Sequence, residues 1–293
     1  MSPHPQTIQI FLPSGDPQGI RVAGITTRIV RVLDVPRSLL ADFFKMPEAQ
    51  QVGLYFLVGQ SDSSDVSQVY IGQTGSLQDR LASHNQKKEF WNRALVAVSL
   101  TNNLTSTHAS FLEWLSIQQA NVVGRYALEN GNAGSRPYTP PPLEAECMEL
   151  HDTVRVLLTT LGYPIFEPLV RAPDASTPAE YFYCRSSGAN GKGQYTEEGF
   201  VVMQGSTGRI DNVPSIAGTA TERFRQKLVA DGVMAPEGGK LVFVRDHLFR
   251  SPSMAASALM GRSANGWVEW KNESGATLDA LKRQGPNDAS AST

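Results

Sequence analysis

Gly53-Leu-Tyr-Phe-Leu-Val58, carried across a Ser/Asp-rich turn (Ser61 to Ser67) into Val69-Tyr-Ile-Gly72, is the stretch from which the fold is read. Two apolar β-type runs joined by a polar connection read as a hairpin. Ser76 follows as the cap of a helix, with Asp79 three residues on and Leu77 and Leu81 as its buried stripe. Arg80 and His84 are four apart on that helix and so share a face. Ala94 to Leu100 is a third strand, and the polar Thr101 to Thr107 leads into a helix whose apolar Phe111, Leu112 and Leu115 surround Glu113. Asn130 closes the unit.

Glu113 is a candidate metal ligand, because a carboxylate among apolar neighbours is costly to desolvate unless it meets a cation. One carboxylate suffices for Mg²⁺, which keeps several waters and takes further oxygens from a phosphate. The plain alternative is a Glu113 that faces solvent beside the apolar stripe. Arg80 offers a forked, permanently charged donor suited to phosphate. His84, one turn on, can orient a water or carry a proton. Tyr55 and Tyr70 lie on adjacent strands, where cross-strand packing is their ordinary role. A phenol is a poor base at neutral pH unless cations lower its pKa, and Arg80, a metal ion and Lys87 are the cations at hand. Lys87, Lys88 and Arg93, interleaved with Phe90 and Trp91, form a basic patch suited to nucleic acid. A solvated helix end with a buried tryptophan is the alternative there.

Gly53-Leu-Tyr, then Tyr-Ile-Gly72, Arg80, a helical Glu113 and a late Asn130 together resemble the GIY-YIG nuclease family, with Leu54 where the family name has isoleucine. The resemblance implies a small three-stranded sheet flanked by helices and a metal-dependent endonuclease that hydrolyses DNA phosphodiester bonds with Mg²⁺ or Mn²⁺. DNA, branched and damaged forms included, is the implied partner. It implies Tyr55 as general base, Tyr70 as a group positioning water or phosphate, Arg80 on the scissile phosphate and Asn130 in support of the site. The six residues Tyr55, Tyr70, Arg80, His84, Glu113 and Asn130 are expected to meet in one cleft at the sheet edge. Glu113 on the opposite side of the sheet from Tyr55 would contradict that. The rival reading is a catalytically weak nucleic-acid-binding or assembly module on the same scaffold.

The rest of the chain sets the frame. With 293 residues, the sequence exceeds the ~100–200 residues of one domain. The expected class is α+β, with a second α+β domain at the C-terminal end. Residues 1–50 read as a β-rich extension with one helix, 51–132 as the nuclease-like domain and 133–180 as a Pro-rich linker and connecting helix. Residues 181–284 read as the C-terminal domain and 285–293 as a disordered tail. The formal net charge of −2 provides no global attraction to nucleic acid, so binding has to come from local patches. Cys147 and Cys184 lack metal-type spacing and read as reduced thiols. No secretory pattern opens the chain and no apolar run approaches a membrane span, which points to a cytoplasmic protein.

Within 181–284, the elements Gly191-Lys-Gly-x-Tyr195, Gly199-Phe-Val-Val, Ser251-Pro-Ser and Asn265-Gly-Trp-x-x-Trp270 resemble an uncharacterised domain fused behind such nucleases; Gly266 to Trp270 is expected as a last strand. This segment is expected to bind or position substrate through Lys192, Arg209, Arg223, Arg225, Lys227, Arg245, Arg250 and Arg262, with Trp267 and Trp270 for stacking. A structural or protein-partner domain is the alternative.

Overall fold

Alternation of apolar and polar residues in the opening segment produces three strands, β1 (Ile8–Phe11), β2 (Arg21–Ile25) and β3 (Val30–Pro36), followed by a helical turn, α1 (Leu40–Phe43). The hairpin is β4 (Gly53–Gln60) and β5 (Ser67–Thr74), after which come α2 (Leu77–Lys87), β6 (Trp91–Ser99), α3 (Ser106–Val123), the short β7 (Ala127–Leu128) and α4 (Pro141–Thr160). The computed structural model describes residues 5–60, 67–131, 134–170, 179–186 and 188–284. The turn Ser61 to Val66, the linker-like Pro173 to Pro178 and the tail 285–293 lie outside the described residues. The chain divides into two compact units, Met1–Pro168 and Leu169–Thr293.

The first unit is built on one seven-stranded sheet in the order β1-β2-β3-β6-β4-β5-β7, antiparallel except where β5 meets β7. The expected three-stranded sheet, β4, β5 and β6, is its central part, and the N-terminal strands continue it. β6 has two edges to fill; β4 takes one and β3, paired from Val30 to Pro36, takes the other. β4 is buried from Gly53 to Gly59, as a central strand covered on both faces must be. Alternation sends Leu54, Phe56 and Val58 against α3 and α4, and Tyr55 and Leu57 against α1 and α2. The register shift between β4 and β6 falls at Gly59, where any side chain would overlap the Phe90 carbonyl.

The Pro-rich stretch is not the boundary between the units. Pro141 and Pro142 occupy the first turn of α4, where the missing proline N–H is no loss. From there α4 returns to the sheet and buries Cys147, Leu150, Val154, Leu157 and Leu158 in the same core as Phe111 and Leu115. On the α4 face, Asp34 is fully buried between Arg21 and Arg93, whose side chains remain partly exposed.

The second unit holds β8 (Phe182–Cys184), β9 (Gly191–Thr196), β10 (Gly199–Val202), β11 (Thr207–Arg209), α5 (Ala220–Ala230), β12 (Met234–Glu237), β13 (Lys240–Phe243), β14 (His247–Phe249), α6 (Pro252–Met260), α7 (Gly266–Glu269) and α8 (Leu278–Lys282). Its sheets run β14-β10-β9-β8 and β11-β13-β12. The expected strand Gly266 to Trp270 is instead the helical turn α7. Asn265 caps it by accepting from Trp267 N–H at 3.2 Å, and Trp270 then drops into the core, its Nε1 donating to the Pro252 carbonyl at 3.0 Å. This α+β arrangement with a separate C-terminal unit matches the class read from the sequence. No described helix is long and apolar enough to cross a membrane.

Candidate functional site

Cross-strand register places Tyr55 opposite Gly72. A methyl group at position 72 would overlap the Tyr55 hydroxyl, so glycine there makes room for the phenol to lie across β5. The close approach is by this side chain. Tyr55 Oη accepts from Arg80 Nε at 3.0 Å and lies 2.8 Å from His84 Nε2. Because Oη accepts from Arg80, its own proton is assigned to Nε2, which makes His84 neutral with its proton on Nδ1. Tyr70 stacks beside Tyr55 with ring centroids 6.3 Å apart and lies 5.1 Å from the His84 ring, while Lys88 Nζ sits 4.3 Å over the Tyr70 ring. The Arg80 guanidinium interacts with both tyrosines, and those contacts raise its pKa further.

Electrostatics follow from this packing. Burial holds the Tyr55 phenol well above its ordinary value, and the Arg80 contact and charge only partly offset it. The phenol is therefore protonated at neutral pH: Arg80 lowers its pKa, as a nearby cation should, but burial outweighs it. Burial first, then the charges of Arg80, Lys88 and Lys87, bring His84 down from 6.5 to about 4. Glu113 is half-buried. Burial raises its pKa, opposed by a hydrogen bond from Gln73 N–H to Oε1 at 3.2 Å and by the Arg80 charge.

Glu113 arrives from α3, whose apolar residues pack on the opposite face of the sheet from Tyr55. Its carboxylate nevertheless reaches the outer edge of β5 at Gln73, beyond the short β7, where it feels Arg80 across the edge. Asn130 acts on the same edge: its Oδ1 accepts from Ile71 N–H at 2.9 Å and its Nδ2 donates to the Ile71 carbonyl at 2.7 Å. It therefore completes the ladder beside Tyr70 and Gly72 and has no hydrogen bond to Tyr55, Arg80 or Glu113. Tyr55, Tyr70, Arg80 and His84 form one cluster, Glu113 borders it at the sheet edge, and Asn130 braces the strand between.

The basic patch divides. Lys87 and Lys88 end α2 beside Tyr70, but Arg93 points to the other face, where its Nη1 donates to Asp34 Oδ1 at 3.1 Å. Trp91 is buried, its ring covered by the Arg37 guanidinium at 4.6 Å. Arg37 is the residue that sequence reasoning missed. It donates to the Asn85 side chain and carbonyl and to the Glu89 and Trp91 carbonyls, closing the C-terminal end of the helix that carries Arg80 and His84. In the second unit, buried Arg225 is taken up by the Ala258 and Arg209 carbonyls and by Asn212, and Trp270 is core, so neither is available to a ligand.

Two expectations follow. Gly72→Ala should displace the Tyr55 ring and lower any activity of the site by two orders of magnitude or more, by analogy with loss of one preorganised donor, about 10²–10³. The check is an activity assay beside a circular dichroism melt; full activity would contradict the packing account. The second concerns acid. His151, its ring tilted against that of Phe166 at 4.7 Å, is likewise lowered to about 4 by burial. In the unfolded chain both histidines bind protons near pH 6.5, and in the folded chain only near pH 4. The unfolded state thus binds more protons between these values, and stability falls as pH drops through that window. Each buried histidine contributes up to about 3 kcal/mol, which is fully present above pH 6.5. Urea melts at pH 7 and 4.5 should show His151→Leu losing less stability than the wild type; equal losses would contradict it.

Residues 182–282 match a family described as a domain of unknown function (DUF4357). No curated protein matches the chain, and no solved structure does. The C-terminal segment read as an uncharacterised domain is accordingly one that recurs as a family, and the match carries no activity with it.

Proposed function

We propose that the first unit is a metal-dependent DNA endonuclease of the GIY-YIG type. The observation that supports this reading is Tyr55 Oη held between Arg80 Nε and His84 Nε2 in the space left by Gly72, with the Glu113 carboxylate at the adjoining sheet edge. The residues fit a metal ion of one kind. Glu113 is a lone half-buried carboxylate with one oxygen engaged by Gln73, and the described residues contain no cluster of three His, Cys, Asp or Glu. That donor set suits Mg²⁺ or Mn²⁺ completed by water and substrate phosphate. Bound at Glu113, the ion would supply charge to a non-bridging oxygen and acidify a water.

The chain's own groups account for the rest. Arg80 presents a planar fork to the scissile phosphate, and by turning onto it uncovers a lone pair of Tyr55 Oη. Because that phenol is protonated, it works as a relay: Oη takes a proton from the attacking water as its own proton passes to neutral His84 Nε2. Tyr70 walls the site, and Lys87 and Lys88 pair with flanking phosphates. Arg80→Ala should lower cleavage about 10²-fold or more, the effect of losing a comparable charge-stabilising donor.

The experiment is a cleavage panel of duplex, nicked, branched and single-stranded DNA with and without Mg²⁺. The complete burial of Tyr55 favours a second reading, a nucleic-acid-binding or assembly module on the same scaffold. Binding without cleavage across the panel selects that one.

A further inference from the structure

Strand β8 and the residue that follows it present two faces of different chemistry. Phe182 and Cys184 point inward and are fully buried. Tyr183 and Arg185 alternate outward, with Tyr181 just before the strand on the same side. Across the ladder, Tyr183 is paired with Lys192 of β9, and on its other flank with Lys271. Each ring carries a cation: Lys192 Nζ lies 3.8 Å from the Tyr181 centroid, and the Arg185 guanidinium 4.4 Å from that of Tyr183. Arg185 and Lys271 are exposed, the other three half-buried. Lys271 has no carboxylate partner among the described residues. The neighbouring acids are Glu273, which accepts from Tyr183 Oη at 3.0 Å, and Glu180, which is paired with Lys282 at 2.5 Å. The face is thus a cationic row with two ring planes one strand repeat apart, roughly 7 Å.

We infer that this face, Tyr181, Tyr183, Arg185, Lys192 and Lys271, docks single-stranded DNA, with bases stacked on the tyrosine and arginine planes and phosphates on the two lysines. The choice of DNA rests on the nuclease reading above. Lysine is depleted from the cores of protein–protein interfaces, whereas rings interleaved with lysines suit a chain of bases and phosphates. A blunt duplex hides its bases and meets the lysines alone, so the surface selects unpaired segments, as found at flaps, branches and nicks.

The test uses the full-length chain carrying Glu113→Gln and no divalent ion, so that nothing is cut. The probe is fluorescein-labelled oligothymidylate of roughly 16 nucleotides, the upper end of one module's site, read by anisotropy over a salt series. The parent should bind this probe more tightly than a blunt duplex. The double variant Tyr181→Ala/Tyr183→Ala should lose about tenfold or more in affinity, while Tyr181→Phe/Tyr183→Phe, which keeps the rings, retains it. Lys192→Gln/Lys271→Gln should flatten the salt dependence by about one to two released ions. Unchanged affinity in the alanine pair, equal loss in the phenylalanine pair, or binding to duplex alone overturns the assignment. The two readings fail separately. If the wild type cuts DNA with Mg²⁺ but the alanine pair binds normally, the surface falls and the nuclease stands. If the alanine pair loses binding and the wild type cuts nothing, the nuclease falls and the surface stands.

Discussion

Glu113→Gln is expected to bring Mg²⁺-dependent cleavage below detection while leaving the thermal midpoint within a few degrees of the wild type. The substitution keeps shape and the acceptor for Gln73 N–H, so the edge of β5 stays closed. It removes the negative charge that meets that edge at Gln73, and with it the ligand that would hold the cation against the phosphate. The carboxylate's raised pKa adds a sign. Binding needs the ionised form, so cleavage should fall as pH drops through a window lying above the ordinary carboxylate range, and the acid limb should vanish with the metal dependence. A glutamine variant with full activity would remove Glu113 from the site.

Tyr55→Phe should cost about 10²–10⁴-fold, the range for losing a positioned acid–base group. It deletes one oxygen that touches Arg80 and His84 together, so both partners lose their anchor at once. The relay also fixes a pH dependence. A phenolate base would make activity climb toward the phenol's pKa, which burial pushes up. Transfer to neutral His84 gives instead a plateau above the His84 value of about 4, once Glu113 is ionised. Single-turnover rates from pH 5 to 9 separate the two; a rate rising throughout would show that Tyr55 acts as an anion.

Much of the site was legible because its spacing is local. Tyr55, Tyr70 and Gly72 sit on a hairpin whose register follows from the two apolar runs, and Arg80 and His84 share a face at a spacing of four. What stayed hidden depends on contacts distant in sequence. Nothing near Arg37 shows that it will close a helix that ends about fifty residues later. Arg93 reads as one of a basic trio, but strand alternation turns it to the face where Asp34 waits, 59 residues away. The Pro-rich stretch signals an extended connection, and the helix behind it still returns to the first core because Leu150, Val154 and Leu157 need the sheet to cover them. Trp267 and Trp270 look like strand residues, yet the Asn265 cap and the Pro252 carbonyl favour a helical turn. Conversely, the outward alternation of Tyr181, Tyr183 and Arg185 is visible in the sequence but has no meaning there, because its partners Lys192 and Lys271 appear only once the strands are paired.

The most direct test of the central claim is a time course of supercoiled plasmid with the purified full-length chain, wild type beside Glu113→Gln, across a Mg²⁺ titration. Nicked and then linear product is expected from the wild type only when the ion is present, and none from the variant. No product from the wild type on any DNA, or equal product from the two proteins, would contradict it.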